Sequence, residues 1–233
     1  MPCRLYTYFY RMNAKIQLSA EELSLVENAG WLLTKNRIIE KVYALFGDLA
    51  HQVRDELTVN SGLLPEEVLA VSPKISKGEN YNGLPWVMLD YPRLFNRNDT
   101  FAVRTMFWWG HFFSVTLHLK GQYKTRYLQP LLKNWSLLAE RGFYICIGED
   151  EWRHEFEEDN YKPLSQLNAT AVEKMMPANN FCKLSAKISL PQWNQSKELL
   201  VDLYETIFTS IDINYRAGET GPSPDNPITG SGL

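Results

Sequence analysis

The chain has 233 residues, 45% of them apolar and 22% charged, with a formal net charge of −3. That length suits one large domain or two small ones, and the composition is ordinary for a globular protein. With no long Lys/Arg block and no run of about 18 apolar residues, bulk attraction to nucleic acid or an anionic membrane is excluded as a driving force, as is a simple membrane span.

Residues 1–11 (MPCRLYTYFYR) hold no apolar stretch long enough for a signal peptide. Met12-Asn13-Ala14-Lys15 would itself make a start, so 1–11 read as an upstream extension and 12–216 as a single α+β domain. Ser19-Ala20-Glu21-Glu22 is a capping box, opening a helix that runs to about Asn28, with Gly30 as its interruption. Ile38, Ile39, Val42, Leu45, Phe46, Leu49 and Val53 then recur at three- and four-residue spacing, which predicts an amphipathic helix. Leu64-Pro65-Glu66-Glu67 reads as a short helix start, with Pro at the first position.

A β section follows, with strands expected at 72–77, 85–91, 101–109, 113–120 and 142–148. The turn formers from Lys77 to Gly83 predict a loop between the first two. The strongest pattern is the period-two alternation from Phe101 to Leu119. Pairing Trp109 with Phe113 puts the apolar sets of both strands on one face and leaves Gly110-His111-Phe112 as the loop. On the other face this register sets Arg104 opposite His118 and Trp108 opposite Ser114. A two-residue Gly110-His111 turn would mix apolar and polar residues on both faces.

Residues 123–141 carry a second helical pattern that Pro130 should kink or divide. The run from Glu149 to Asp159 is strongly acidic and reads as a solvated loop or helix. Thr170-Ala171-Val172-Glu173 is another capping box. Cys182, Leu184, Ala186, Ile188 and Leu190 alternate with Lys183, Ser185, Lys187 and Ser189, as in a protected edge strand with its lysines outward. A last helix follows Pro191, and the Gly/Pro/Ser-rich tail 217–233 should be disordered. The sum is an α+β fold: a mainly antiparallel sheet of about five to six strands, with N-terminal, inserted and C-terminal helices packed on it.

The face bearing Arg104 and His118 is the leading candidate site. Asp90, with Trp86 and Met88, should share it from the neighbouring strand. Two cations directly opposite each other repel unless the imidazole is neutral or an anion sits between them. Arg104 would clamp a small anionic or aromatic ligand, walled by Trp86, Met88, Trp108 and Thr116, with Arg93 and Arg97 adding charge at the sheet end. The bland alternative is a buried Asp90–Arg104 ion pair under covering helices. Two other functions fit the same residues. One is a cofactor-independent enzyme using His118 as base, oriented by Asp90. The other is a protein-interaction module built on the hairpin tip from Trp108 to His111, with the Lys77–Gly83 loop beside it.

No metal is expected, because His51, His111, His118 and His154 show no ligand spacing. No cofactor is expected either, since GxxxxGK[ST], GxGxxG and GxSxG are all absent. Cys3, Cys146 and Cys182, an odd count without CxxC, suit a reducing, cytoplasmic setting. The expected partner is a small molecule or a protein, and no oligomeric state is legible.

Overall fold

The computed structural model describes residues 16–60 and 62–212. The expected upstream extension, Cys3 and the expected disordered tail lie outside the described residues. The chain divides into two compact units, 1–45 and 46–233, with the boundary inside a long helix.

In the first unit, helix α1 (Ala20–Glu27) opens on the expected capping box. Glu22 N–H donates to Ser19 Oγ at 3.2 Å, and Ser19 N–H donates to the Glu22 carboxylate at 2.7 Å. The interruption falls at Asn28, not Gly30. Asn28 closes α1, and its carboxamide oxygen accepts from Trp31 N–H at 3.0 Å as helix α2 (Ala29–Val59) begins.

The second unit is a seven-stranded antiparallel sheet in the order β1-β2-β3-β4-β7-β5-β6. Its strands are β1 (Lys74–Tyr81), β2 (Leu84–Phe95), β3 (Thr100–Trp108), β4 (Phe112–Lys120), β5 (Tyr144–Cys146), β6 (Tyr161–Pro163) and β7 (Phe181–Ser189). The seventh strand, beyond the five to six expected, is β6, whose three residues are too few to show alternation. Helices α3 (Glu66–Leu69), α4 (Gln122–Lys133), α5 (Trp135–Glu140), α6 (Ala169–Ala178) and α7 (Ser196–Ile211) complete an α+β fold. Among the described residues no helix is long and apolar enough to cross a membrane.

One sheet face is apolar across β2, β3, β4 and β7 with a single exception, and Lys77 of β1 and Lys162 of β6 stand exposed on it at the two edges. Val87, Leu89, Phe101, Val103, Phe107, Phe113, Val115 and Leu117 are all buried on it. Phe101 meets Tyr123 and Tyr127 of α4 edge-on. The one polar insertion is matched: Thr105 Oγ1 lies 2.9 Å from Tyr204 OH of α7, which donates to the Tyr91 carbonyl at 3.0 Å.

Several local expectations shift. Strand β1 runs on to Tyr81, and the turn contracts to Asn82-Gly83, both at positive φ (50° and 83°), the pair a two-residue hairpin prefers. Helix α4 passes through Pro130 and ends at Asn134, whose N–H donates to the Pro130 carbonyl at 3.0 Å. The cap of α6 is Asn168, accepting from Ala171 N–H, rather than Thr170.

The hairpin register differs by two residues from the expected one. Trp108 pairs with Phe112, and the loop is Trp109-Gly110-His111 with Gly110 at φ 76°. An even slip keeps every side chain on its expected face but changes its opposite number. Arg104 faces Thr116, and His118 faces Ala102 on one side and Lys183 on the other. The physical reason is that the polar face is itself apolar at the hairpin end. Met88, Met106, Trp108 and Phe112 form a buried cluster there, so alternation does not distinguish the two registers. Trp108 is accordingly the buried tryptophan of the tip, and Trp109 is partly exposed.

Strand β7 is also placed differently. It lies inside the sheet, between β4 and β5, and Lys183 is only 1% exposed. Alternating lysines read as a solvated edge because the sequence does not show that their face is covered.

Candidate functional site

Across β2, β3, β4 and β7, the second face carries Asp90, Arg104, Thr116, His118, Lys183 and Ser185 as near neighbours. All the sequence-predicted polar site residues therefore register on one surface, and all are largely buried except Arg93, which is partly exposed at its end. What covers them is not a helix but the segment 147–160, the acidic run expected to be solvated. It crosses the sheet as a strap and brings Glu151 to His118 and Lys120, His154 to Arg104, and the carbonyls of Glu151 and Arg153 to Lys183.

Arg104 and Asp90 form the ion pair of the bland alternative. Nε donates to Oδ1 at 2.6 Å and Nη2 to Oδ2 at 3.2 Å, a two-bond fork. The guanidinium carbon also stands 5.7 Å from the Phe95 ring centre and 5.6 Å from that of Trp152. Arg104 Nη1 approaches His154 Nε2 at 3.4 Å. A guanidinium only donates, so His154 accepts and is neutral. Burial, then Lys183, Arg104 and His118, hold its pKa well below the usual imidazole value.

The carboxylate that reaches His118 is Glu151, at 2.9 Å from Nε2, whereas Asp90 is taken by Arg104. Because a carboxylate only accepts, His118 Nε2 carries the proton. Burial first, then the charge of Lys183, push the His118 pKa down to about 4 despite Glu151. An imidazole that titrates this low is a weak general base near pH 7. Burial works to raise Glu151, but Lys120, at 2.7 Å, and His118 outweigh it and hold its pKa below the usual value.

Lys183 has no carboxylate partner among the bonds formed here. Its ammonium donates to the backbone carbonyls of Glu151, at 3.0 Å, and of Arg153, and lies over the Tyr161 ring. Burial pushes its pKa down to about 8. The strap is pinned from the other side by Tyr81, whose hydroxyl donates to Glu155 and accepts from His154 N–H at 2.7 Å. Arg153 stiffens it further, bonding Glu155 and both oxygens of Asp159.

The apolar predicted residues sit apart from this cluster. Trp86, Met88 and Trp108 belong to the apolar end of the face, closed by Tyr81, Leu84 and Phe156. Trp108 Nε1 donates to the Tyr81 carbonyl at 3.2 Å, and its indole stacks on His111 with centroids 3.6 Å apart. Thr116 Oγ1 bonds Ser185 Oγ at 2.7 Å. Arg93, beyond a bulge in β2, donates to the Ser72 carbonyl at 3.0 Å. Cys146 is buried, its thiol pKa pushed up by that burial.

The polar face opens outward at its Lys120 end and, by a smaller hollow of about 310 Å³ lined by His111, Phe112, Lys187, Ser189 and Gln192, at its hairpin end. At the Lys120 end a cleft of about 830 Å³ is lined by Arg97, Lys120 and Lys124, by the carboxamides of Asn98, Gln129, Asn179 and Asn180, and by no carboxylate. Lys124 Nζ donates to the carbonyls of Pro177, at 3.0 Å, and Asn179. A smaller hollow of about 290 Å³ shares Lys120, Asn179 and Asn180 and reaches Glu151 of the strap. None of these hollows is lined by Arg104, Asp90 or Trp86.

Sequence reasoning missed Glu151, His154, Lys183 and, Arg97 apart, the cleft residues. A signal existed for the strap: Trp152, His154 and Phe156 alternate with charged residues, as expected of a segment laid flat on a surface. For the cleft none existed, since Arg97, Lys120 and Asn179 are far apart in the chain. No family model, curated protein or solved structure matches this chain.

Proposed function

We propose that this protein binds a small anionic ligand, and that the ligand enters the cleft at the Lys120 end of the sheet. The carrying observation is the lining: three cations and four carboxamides without a carboxylate, in a chain whose net charge is −3. Such a lining concentrates positive potential and offers both charged and neutral donors to phosphate or carboxylate oxygens. Arg97, exposed at the mouth, is suited to a forked contact. Lys120 links the cleft to Glu151, so a bound anion would compete with Glu151 for the same ammonium. The buried thiols Cys146 and Cys182 suit a reducing, cytoplasmic setting.

The sheet face itself, from Trp86 and Trp108 to Arg104, is a second place for the ligand once the strap lifts. The two are separated by thermal shift with inorganic phosphate and a panel of mono- and dicarboxylates. The cleft predicts a rise in Tm that Arg97→Glu abolishes and Arg104→Met leaves intact. A rise that survives Arg97→Glu but disappears with Arg104→Met would assign the ligand to the face beneath the strap. No rise with any anion would sink both.

A further inference from the structure

The N-terminal unit presents the largest run of uncovered apolar side chains among the described residues. Leu23 (48%), Leu25 (53%) and Val26 (70%) of α1 and Trp31 (51%), Leu32 (50%) and Leu33 (56%) of α2 are all about half exposed or more. Ile16 and Leu18 add to them, and no residue of α1 is buried. In this unit burial begins only at Ile39. Apolar residues on more than one side of a helix mark an element that is enclosed by others. Side chains of this size at half exposure amount to several hundred square ångströms, beyond the scattered apolar residues of an ordinary surface.

We propose that this helical pair is the interface through which two copies of the chain associate, the same patch of each meeting the other about a two-fold axis. Charge separation along the segment favours a second copy over an unrelated partner. Helix α1 carries Glu21, Glu22 and Glu27 and no base, whereas the following stretch to Leu45 carries Lys35, Arg37 and Lys41 against a single acid, Glu40. A patch with acids at one end and bases at the other is complementary to itself when reversed, which is what an isologous contact requires. The apolar side chains between the two ends would form the dry centre, and the charges its rim. A standard interface takes about 800 Å² from each partner, so a patch of this size supports a specific but reversible dimer.

Sedimentation velocity of the full chain, from about 1 to 100 μM to span the range such an area implies, tests this. The wild type is expected to move from the 27.0 kDa chain toward twice that mass as concentration rises. Leu25→Glu with Leu32→Glu should leave a monomer whose melting curve matches the wild type at the lowest concentration, where both are monomeric, because neither side chain is buried. Charge reversal gives an independent arm. Glu21→Lys with Glu27→Lys should weaken the dimer at least tenfold, and adding Arg37→Glu with Lys41→Glu should restore it. A monomer at every concentration overturns the proposal, whether residues 1–15 or another protein then cover the arm. So does a dimer that the leucine and charge variants leave unaltered.

Discussion

The two faces of the sheet solve the same burial problem with different chemistry. On the apolar face, Val103, Val115 and Leu117 are covered by helices, which suits a surface that asks nothing of its cover but shape. On the polar face, Arg104, His118 and Lys183 are covered by an irregular strap. A helix spends its carbonyls on its own amides, whereas the strap leaves those of Glu151 and Arg153 free to receive Lys183. Its acids supply what the sheet lacks, since Asp90 alone serves Arg104 and nothing on the sheet face serves His118. The contrast explains why two acids of the run, Glu151 and Glu155, turn inward while Glu149, Asp150, Glu157, Glu158 and Asp159 stay exposed as a solvated loop would.

The largest effect separating the faces should come from Asp90. Asp90→Ala leaves Arg104 charged and unpaired beneath the strap, at a cost of about 3–5 kcal/mol in urea unfolding. Replacing both partners, as Asp90→Leu with Arg104→Met, should recover most of that loss, because the desolvation of two charges disappears with them. Leu117→Ala on the apolar face should also cost about 2–5 kcal/mol, with no second substitution to repair it by removing a partner. If the double variant is no more stable than Asp90→Ala, the polar face holds together by something other than paired charge.

Next in size is the response to acid. His118 titrates near 4 when folded, below the ordinary imidazole value of 6.5. Between those values the unfolded chain binds more protons, so stability falls as pH drops through this window, by on the order of 3 kcal/mol at its lower end. His154 and Glu151 act in the same direction, since both are held below their usual values and gain protons on unfolding. Melting curves from pH 7 to 4 should therefore fall steeply, and His118→Gln should flatten the fall. An identical slope in that variant would place the acid sensitivity elsewhere.

How far these faces were legible in the sequence follows from the range over which each signal acts. Alternation from Phe101 to Leu119 set the face of every hairpin residue correctly, because burial decides it residue by residue. It misjudged the partner of Arg104, since a slip of two residues leaves the pattern unchanged and the apolar cluster around Trp108 makes both registers plausible. It misplaced β7 for a related reason. Lys183 and Lys187 show the period of a half-solvated strand whether water or the strap lies above them. The capping box at Ser19 is contained in four residues and was fully readable. The meeting of Arg97, Lys120 and Asn179 depends on chain reversals that no local pattern encodes.

The smallest effect is the most diagnostic of how the polar face is wired. Thr116 Oγ1 and Ser185 Oγ bond at 2.7 Å between neighbouring strands, and Ser185 also donates to the Val115 carbonyl at 3.2 Å. Both hydroxyls are buried. Thr116→Val keeps shape and removes one hydroxyl, and Ser185 still has an acceptor, so the loss should be about 1 kcal/mol. Ser185→Ala leaves Thr116 buried without that partner and should cost somewhat more, about 1–3 kcal/mol. If the pair is isolated from the charges around it, a double-mutant cycle between Thr116→Val and His118→Gln should be additive within about 0.5 kcal/mol. A larger coupling would mean that the hydroxyls and the Glu151–His118 bond form one network, in which acid titration of the imidazole also loosens β4 from β7.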